Sequence, residues 1–413
     1  MVLSSRRRLG RFVATAGAAA MLLSACGAPA PGARTAGSGA VNEAAGAFQP
    51  PDVTVTPADK SGPVRLNAPV NVRATGGRLE SITVHQEGDP TSLPGRLSAN
   101  HRTWTASDSL EPNAHYVVEV NATSPGGDRT SSRTTFTTMN ADRLTTDARP
   151  GDGDTVGIGM PITLRFNADV PSQKQADFIS HVAVQSVPYV AGAWHWFTNS
   201  EVHWRPKDYW PTGTKVTVSA NLRGLEASDN FWGLGNWTSS FTVGEKHVSV
   251  IDPVSHLMQV YQSDQLVQNW PVSAGKPGRD TIGGTLVVPY KTPDVLMDSL
   301  SIGIPRQSPE GYYQHVLWDT AISVNGFYVH AAPWSEASQG SANVSHGCVN
   351  LSPDRAQTFY NFSQIGDIVE VKNSPRTADF GDGEGDWQIP FEQFANSGGV
   401  IAAPPAHNVP GGV

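Results

Sequence analysis

Cysteine is scarce in this chain. Only Cys26 and Cys348 occur among 413 residues, which is too few for the disulfide framework of a small secreted domain. Cys26 lies at the end of a leader, so Cys348 is left without a cysteine partner. An unpaired cysteine in an exported protein indicates a reactive thiol. Cys348 is therefore the first candidate for chemistry.

Positive charge is also in short supply. The formal net charge is −8, and no basic cluster follows the leader, which argues against a nucleic-acid partner. Helix signals are nearly absent, whereas 41 glycines and 31 prolines punctuate short runs rich in Val, Thr and Trp. Such runs are typical of β-strands. At ~100–200 residues per domain, the chain predicts a mainly β protein of two or three domains.

The N-terminal leader has the features of an export signal. Basic residues at 6–8 and 11 precede an apolar, alanine-rich stretch at 12–23, which is shorter than the ~20 residues of a membrane-spanning helix. The sequence Leu-Ser-Ala-Cys ending at Cys26 resembles a bacterial lipoprotein signal. It predicts a signal peptide over 1–26 and lipidation of Cys26.

The leader also predicts where the protein is found. We expect an exported protein, anchored to the cell membrane through lipid on Cys26 and facing the periplasm or cell wall. Export by the twin-arginine route stays open because of the paired arginines after Ser5. Residues 27–51 are mostly Ala, Gly, Pro and Ser, so they predict a flexible linker that buries no core.

Two stretches of about one hundred residues look like copies of one unit. Trp104 and Trp204 are each followed by an aspartate, a proline and an alternating apolar run, at 116–120 and 215–218. A tryptophan, a turn and an alternating strand at this spacing predict two tandem immunoglobulin-like β-sandwiches. The predicted boundaries are 52–146 and 147–246.

The pattern changes after residue 246. Strands are predicted at 248–251, 256–262, 266–272 and 367–371. The run from Ile322 to His330 predicts a hairpin, because Asn325-Gly326 suits a type I′ turn. Ser352-Pro353-Asp354 predicts a helix start, with the helix continuing to about Phe362. These elements predict a third domain over 247–376 and a C-terminal extension over 377–413.

Cys348 lies in the sequence Ser-His-Gly-Cys-Val-Asn at 345–350, and His330 precedes it by eighteen residues. An imidazole can take the thiol proton and leave a nucleophilic thiolate, and the helix start after Cys348 favours that thiolate. Two other interpretations exist. The cysteine could be a buried small apolar residue, or His330, His346 and Cys348 could bind zinc, although further ligands at suitable spacing are missing.

The motif His-x14-Ser-His-Gly-Cys-x-Asn resembles the signature of the L,D-transpeptidase family, whose catalytic domain is described as YkuD-like. With the lipoprotein leader and two β repeats, the chain resembles the mycobacterial branch. The resemblance implies a β-rich catalytic domain with a short helix after Cys348. It further implies that Cys348 is the nucleophile, His330 the base and His346 a support for the loop. Backbone N–H groups around His346, Gly347 and Cys348 would hold the oxyanion.

The resemblance also places the substrate cleft. It implies that Met297 belongs to a flap, and that the cleft is lined by Tyr312, Asn325, Gly326, Trp334 and Asn350. One position departs from the family, since Ala331 stands where relatives often carry serine after the histidine. A backbone carbonyl, for which we expect Gly326, would then orient His330.

The function implied is cross-linking of peptidoglycan by a cysteine acyl-enzyme, without cofactor or metal. Cys348 would attack a tetrapeptide stem, release D-Ala and pass the acyl group to the amine of a second stem. The resemblance implies inhibition by carbapenems, and the sandwiches would form a stalk. The alternatives are an L,D-carboxypeptidase, a non-catalytic wall-binding scaffold and, further off, a cysteine endopeptidase of another fold.

Overall fold

The computed structural model describes residues 49–378 and 385–396. The predicted signal peptide, the lipidation site Cys26 and most of the linker lie outside these residues. The described chain is mostly β-strand with three α-helices, which confirms the predicted mainly β class.

The first sandwich has two four-stranded sheets. Its strands are β1 (Asp52–Thr56), β2 (Ser61–Val64), β3 (Asn71–Thr75), β4 (Arg78–Gln86), β5 (Gly95–Leu97), β6 (Thr103–Ala106), β7 (His115–Thr123) and β8 (Arg129–Thr138). The strand orders are β1-β3-β6-β5 and β2-β8-β7-β4. Trp104, Tyr116 and Phe136 are buried in the core between the sheets, as alternating apolar residues on facing sheets require.

The second sandwich repeats this arrangement. Its region comprises β9 (Asp142–Arg143), β10 (Thr146–Arg149), β11 (Thr155–Val156), β12 (Ile162–Phe166), α1 (Ser172–Ser180), β13 (Val182–Val187), β14 (Gly192–Thr198), β15 (Glu201–Pro206), β16 (Lys215–Ala220), β17 (Glu226–Ser228), β18 (Phe231–Trp232) and β19 (Trp237–Val243). The orders β10-β12-β15-β14 and β11-β19-β16-β13 match those of the first sandwich strand for strand. Trp104 on β6 and Trp204 on β15 occupy equivalent strands, so the repeat read from the sequence is a structural repeat. Helix α1 was not predicted.

The C-terminal domain contains two further sheets. Its elements are β20 (His247–Asp252), β21 (Leu257–Gln262), β22 (Gln265–Pro271), β23 (Gly284–Val287), β24 (Lys291–Asp298), β25 (Tyr313–Ala321), β26 (Tyr328–Ala331), β27 (Val349–Leu351), α2 (Pro353–Phe362) and β28 (Ile368–Val371), with 3-10 helices at Ser299–Ile302 and Pro333–Ser338. The sheets have the orders β22-β21-β20-β28-β23 and β24-β25-β26-β27. Helix α2 contacts β25 and β26 and has the predicted bounds.

The second sandwich and the C-terminal domain share one hydrophobic core. Val287 on β23 and Ile368 on β28 are buried in the same cluster as the sandwich residues. The backbones also meet, because the N–H of Gly157 donates to Ile365 at 2.7 Å and that of Gly159 to Gly366 at 2.9 Å. The expected stalk of two independent sandwiches is therefore wrong for the second one, which is packed into the catalytic part.

Part of the C-terminal extension closes this junction. A 3-10 helix (Gly385–Gln388) and α3 (Phe391–Asn396) follow β28. The guanidinium of Arg205 on β15 lies 4.5 Å from the Trp387 ring and 4.8 Å from the Phe394 ring. The Trp387 indole N–H donates to the Gly159 carbonyl at 2.8 Å. These cation–π and hydrogen-bond contacts hold the extension on the second sandwich.

Two properties of the described residues bear on the predictions. Within 49–378 and 385–396, no helix is both long and apolar enough to cross a membrane. In the same ranges, no three His, Cys, Asp or Glu side chains are grouped to hold a metal ion.

Candidate active site

Strands β26 and β27 bring the motif residues together. They pair in parallel, with His330 in register with Asn350 and Val329 with Val349. Side chains alternate along a strand, and residues in register share a face. Tyr328 and His330 on β26 therefore lie on the same face as Cys348 and Asn350, on strands ~4.8 Å apart. The candidate nucleophile and the candidate base, eighteen residues apart in sequence, are thus brought to neighbouring positions across one strand pair.

Cys348 stands immediately before β27, and not on a direct strand-to-helix connection. Its Sγ lies 3.7 Å from the carbonyl oxygen of Gly326, and the backbone N–H of Tyr328 hydrogen-bonds to the thiol. Both contacts come from the segment that leads into His330. Helix α2 begins only at Pro353, which is too far for the field of its N-terminus to dominate the thiol.

The half-buried Cys348 is a neutral thiol in this site. Desolvation by burial raises the pKa of Cys348 to about 12, against the smaller lowering effect of the Tyr328 N–H. Partial removal of water from the sulfur disfavours its thiolate, so the direction of this pKa shift favours the neutral thiol. The thiolate expected from the sequence stays a prediction.

His330 is buried and uncharged. It is only 3% exposed, and burial lowers the pKa of His330 to about 4, although its hydrogen bond to Ala331 opposes this. Nδ1 lies 2.9 Å from the carbonyl oxygen of Ala331, so Nδ1 carries the proton and Nε2 is the basic nitrogen. As expected, a backbone carbonyl orients His330. It belongs to Ala331 and not to Gly326, so the assignment to Gly326 is wrong; the Gly326 oxygen faces Cys348.

The hydroxyl of Ser345 makes two hydrogen bonds within the loop that carries Cys348. It donates to the Cys348 carbonyl at 2.6 Å and accepts from the Gly347 N–H at 3.1 Å. The Gly347 amide is therefore engaged, and the expectation that it helps to hold an oxyanion is wrong for this geometry. Gly347 has φ +130°, and a Cβ there would lie 2.7 Å from the Phe327 ring. Glycine is required for its conformation and for this close packing.

His346 belongs to a polar group at the mouth of the site. Its Nε2 lies 3.4 Å from Lys276 Nζ and 3.6 Å from a carboxylate oxygen of Glu310. Burial and then the charge of Lys276 lower the pKa of His346. The Tyr312 ring is centred 5.4 Å from the imidazole. Burial raises the pKa of Tyr312, and the neighbouring Cys348 adds to the effect.

The loop before β26 differs from the predicted turn. Strands β25 and β26 do form a hairpin, but six residues connect them, closed by a hydrogen bond from the Ile322 N–H to the Phe327 carbonyl. Gly326 has φ +88°, whereas Asn325 is not among the residues with positive φ. A type I′ turn needs positive φ at both positions, so that prediction is wrong. The longer loop directs the Gly326 carbonyl at the thiol.

The other residues predicted to line the cleft differ in their exposure and in their distance from His330. Trp334 is 54% exposed, with its ring centred 6.1 Å from that of His330. Met297 lies on β24, in register with Gln314 of β25, in the hairpin predicted as a flap. Asn350 is only 2% exposed and donates its amide to the Ser335 hydroxyl at 3.0 Å. This hydrogen bond holds the segment that carries Ser335, and the place of Asn350 in the substrate cleft stays a prediction.

Two residues near the thiol were not predicted from the sequence. Asp319 on β25 is fully buried, and neither carboxylate oxygen accepts a hydrogen bond from another described residue. Burial, and then the charge of Asp294, raise the pKa of Asp319 to about 8. Because Ala321 is in register with Tyr328, Asp319 shares the face of His330. The only sequence signal was one acid in an otherwise apolar run.

Tyr328 is the second missed residue. Its hydroxyl lies 2.8 Å from the Tyr290 hydroxyl. Burial and this contact raise the pKa of Tyr328, and Cys348 contributes in the same direction. Tyrosine in a strand gives no sequence signal that separates such a role from packing.

Comparison with known protein families finds a match for the sandwich region and another for the C-terminal domain. Residues 61–226 match the bacterial Ig domain family, and residues 246–371 match the L,D-transpeptidase catalytic domain family. L,D-transpeptidase 2 of Mycobacterium tuberculosis is 36% identical over 346 residues, which cover 83% of this chain and 84% of that protein. L,D-transpeptidase 5 of the same species is 30% identical over 393 residues, or 92% and 84%.

A solved structure of an L,D-transpeptidase in complex with imipenem is also similar. It is 32% identical, covers 55% of this chain and 98% of that chain, and superimposes with a TM-score of 0.48. The two sequence relatives each span more than four fifths of both proteins compared. On that evidence, this chain belongs to the L,D-transpeptidase family, with an Ig-like region followed by the family's catalytic domain.

Proposed function

We propose that this L,D-transpeptidase forms 3→3 cross-links in peptidoglycan through a thioester on Cys348. The observation that supports this chemistry is the parallel pairing of β26, which carries His330, with β27, which Cys348 immediately precedes. Family membership supplies the reaction class. The substrate is a tetrapeptide stem, and no cofactor takes part.

Acylation begins from two neutral groups. Nδ1 of His330 is held by the Ala331 carbonyl, so Nε2 accepts the thiol proton while Sγ bonds to the carbonyl carbon of the third stem residue. Because burial raises the pKa of Cys348 and lowers that of His330, transfer of the thiol proton is favoured when it coincides with attack on the carbonyl carbon. The oxyanion would be held by the amides of His346 and Cys348.

The intermediate then collapses and the acyl group moves on. The C–N bond to D-Ala breaks, His330 returns its proton to the leaving amine, and a thioester remains. The side-chain amine of a second stem attacks this thioester, His330 takes the excess proton, and the Cys348 thiol is restored. Glu310 and Lys276 near His346 support the loop at the mouth.

The location and inhibitors follow as parts of the same proposal. Lipidation of Cys26 would hold the enzyme at the outer face of the membrane, where stem peptides are found. Carbapenems would acylate Cys348, as supported by the imipenem complex of the related enzyme. His330 and Trp334 would face the bound drug.

Incubation with a purified disaccharide-tetrapeptide tests the proposal. We expect cross-linked dimer by mass spectrometry, none with Cys348→Ala, and ~10²–10⁴-fold slower acylation with His330→Gln. His101→Gln, an exposed change in the first sandwich, is the control. Tripeptide as the sole product would show a carboxypeptidase, and no reaction by fresh enzyme would favour a scaffold.

A further inference from the structure

A buried acid lies in the same sheet as the candidate base and takes no part in the proposed chemistry. Asp319 on β25 is 0% exposed, and neither of its carboxylate oxygens accepts a hydrogen bond from another described residue. A buried carboxyl without a partner is costly, most of all in its charged form. It therefore weakens the fold when it ionises, and its place near Cys348 points to a role in the site.

The sheet puts Asp319 and Cys348 on opposite sides of one strand. Strand β26 lies between β25, which carries Asp319, and β27, which Cys348 immediately precedes. The register of β25 with β26, Thr320 with Val329, puts Asp319 opposite His330. Side chains of opposed residues share a face, so Asp319 is on the face of His330 and Cys348. With neighbouring strands ~4.8 Å apart, the carboxyl and the thiol are separated by on the order of 10 Å.

Asp319 belongs to a group of acids that influence one another. Asp294 on β24 is exposed and lies 2.7 Å from Nδ1 of His315. Burial, and then the charge of Asp294, raise the pKa of Asp319. Burial also raises the pKa of Tyr328 and of Cys348, and the charge of Asp319 adds to the increase in both. A negative charge on Asp319 therefore reaches the thiol.

The other described neighbours of Asp319 bring no positive charge to it. His330 on β26 is buried, and burial lowers the pKa of His330 to about 4. The opposite face of β25 packs on helix α2, where the Trp318 and Tyr360 rings are centred 5.5 Å apart. Lys291 of β24 also turns toward that helix, with Nζ 2.6 Å from the carbonyl oxygen of Tyr360.

We propose that Asp319 is a positioning residue for the thiol, which takes the first negative charge on this face and keeps Cys348 protonated as the pH rises. Two like charges buried on one face disfavour each other, so the two acids lose their protons in coupled steps, the carboxyl first and the thiol second. Alkylating agents and oxidants attack the thiolate. The charge of Asp319 thus protects the cysteine of the free enzyme against such agents in alkaline solution.

Alkylation of Cys348 by iodoacetamide tests the inference. The rate is measured by mass spectrometry of the peptide that contains Cys348. Asp319→Asn keeps the shape of the side chain and removes its charge. At pH 9 we expect this variant to react about fivefold faster or more than the unaltered protein, as for two like charges on the order of 10 Å apart in a partly polar interior. At pH 6 the two rates should be equal, because Asp319 is protonated there.

Asp294→Asn is the matched control. It removes a negative charge from the same part of the sheet but leaves the carboxyl of Asp319 in place. Because Asp319 is ionised at pH 9 in both proteins, the alkylation rate of Asp294→Asn at pH 9 should equal that of the unaltered protein. Asp319→Ala removes the charge with a different shape and should reproduce the acceleration at pH 9. This variant also carries the test if Asp319→Asn does not fold.

Two outcomes would overturn the inference. The first is an alkylation rate at pH 9 that is the same in the folded Asp319 variants and in the unaltered protein. The second is an equal acceleration at pH 6 and pH 9, which indicates a loosened site and not a lost charge. Since alkylation needs no acyl donor, either outcome leaves the proposed function standing, and absence of acyl transfer leaves this inference standing.

Discussion

At the scale of single residues, the protonation states of the candidate pair, Cys348 and His330, are governed by burial more than by charge. Cys348 and His330 are both driven to their neutral forms, with pKa values near 12 and near 4. An ion pair would be reactive toward any electrophile. A neutral pair depends on a substrate that is positioned for attack and proton transfer together.

The pH dependence of thiol alkylation tests this neutral pair. Because the pKa of Cys348 is about 12, the iodoacetamide rate should still be rising above pH 10. A free cysteine would level off above its pKa of ~8.5. The rate is measured by loss of free thiol, with Cys348→Ala as the blank. A plateau below pH 8 would show a thiolate and contradict the burial argument.

Asp319 predicts a stability that declines as pH rises. Its pKa is about 8 in the fold against an ordinary 3.8, so the folded chain holds a proton that the unfolded chain releases. Stability is therefore lost between about pH 4 and pH 8, by at most ~1.4 kcal/mol per pH unit from this group. Asp319→Asn should melt higher than the unaltered protein at pH 8 and alike at pH 4.

The control for this effect is the exposed Asp169→Asn, which should leave the difference between the two pH values unchanged. Melting temperatures at pH 4, 6 and 8 provide the measurement. If Asp319→Asn lowered the melting temperature at pH 8, the carboxyl would be a needed acceptor or charge and not a strained buried acid.

At the scale of elements, the site depends on two short loops held by β26 and β27. One carries Gly326, whose carbonyl faces the thiol, and the other is clasped by Ser345. The parallel pairing of β26 and β27 fixes both loops relative to His330. Loops on a rigid strand pair are a common means of positioning reactive groups.

Gly347→Ala should damage this arrangement more than an ordinary glycine substitution. The new Cβ would meet the Phe327 ring at 2.7 Å as well as an unfavourable φ of +130°. We expect a lower melting temperature and acylation slowed by at least about tenfold, since a misplacement near 1 Å can cost ~10²-fold. Gly127→Ala has a positive φ but open space and isolates the backbone effect. If Gly347→Ala and Gly127→Ala lowered the melting temperature equally, contact with Phe327 would not explain the effect at Gly347.

At the scale of the whole molecule, the two sandwiches have different relations to the catalytic domain. The second shares its core through Val287 and Ile368 and is covered by the segment from Gly385 to Asn396. The first is connected to the second by polar contacts such as Arg223 with Asp108 and Glu111, both at 2.7 Å. If the proposed membrane anchor is present, the spacing between it and the catalytic domain is therefore expected to come from the first sandwich.

Truncation separates these roles. A chain that begins at Asp142, the first residue of β9, should keep its melting temperature and its acylation by a carbapenem. A chain that begins at Gly244 should lose both, because it exposes Val287, Ile368 and the aromatic residues of the extension, at ~1.5–3 kcal/mol for each large apolar side chain. Equal melting transitions and equal acylation in the two chains would instead support a stalk of two sandwiches that are both independent of the catalytic domain.

Much of the architecture could be predicted from the sequence because local residue patterns determine it. Period-two alternation and turn residues gave the strands at 248–251 and 367–371, and Ser352-Pro353-Asp354 gave helix α2. The repeat of Trp104 and Trp204 gave two sandwiches, since equivalent strands keep equivalent buried residues. The motif around Cys348 and the spacing to His330 singled out the candidate pair because the family's motif is short and contiguous.

The tertiary structure alone decided what depends on contacts between distant segments. Which carbonyl orients His330, whether Cys348 is a thiol or a thiolate, and whether Gly347 keeps a free amide are set by neighbours that no local pattern names. The pKa values in particular follow from desolvation, which is a property of the packed interior and not of the chain. The same holds for the complete burial of Asp319.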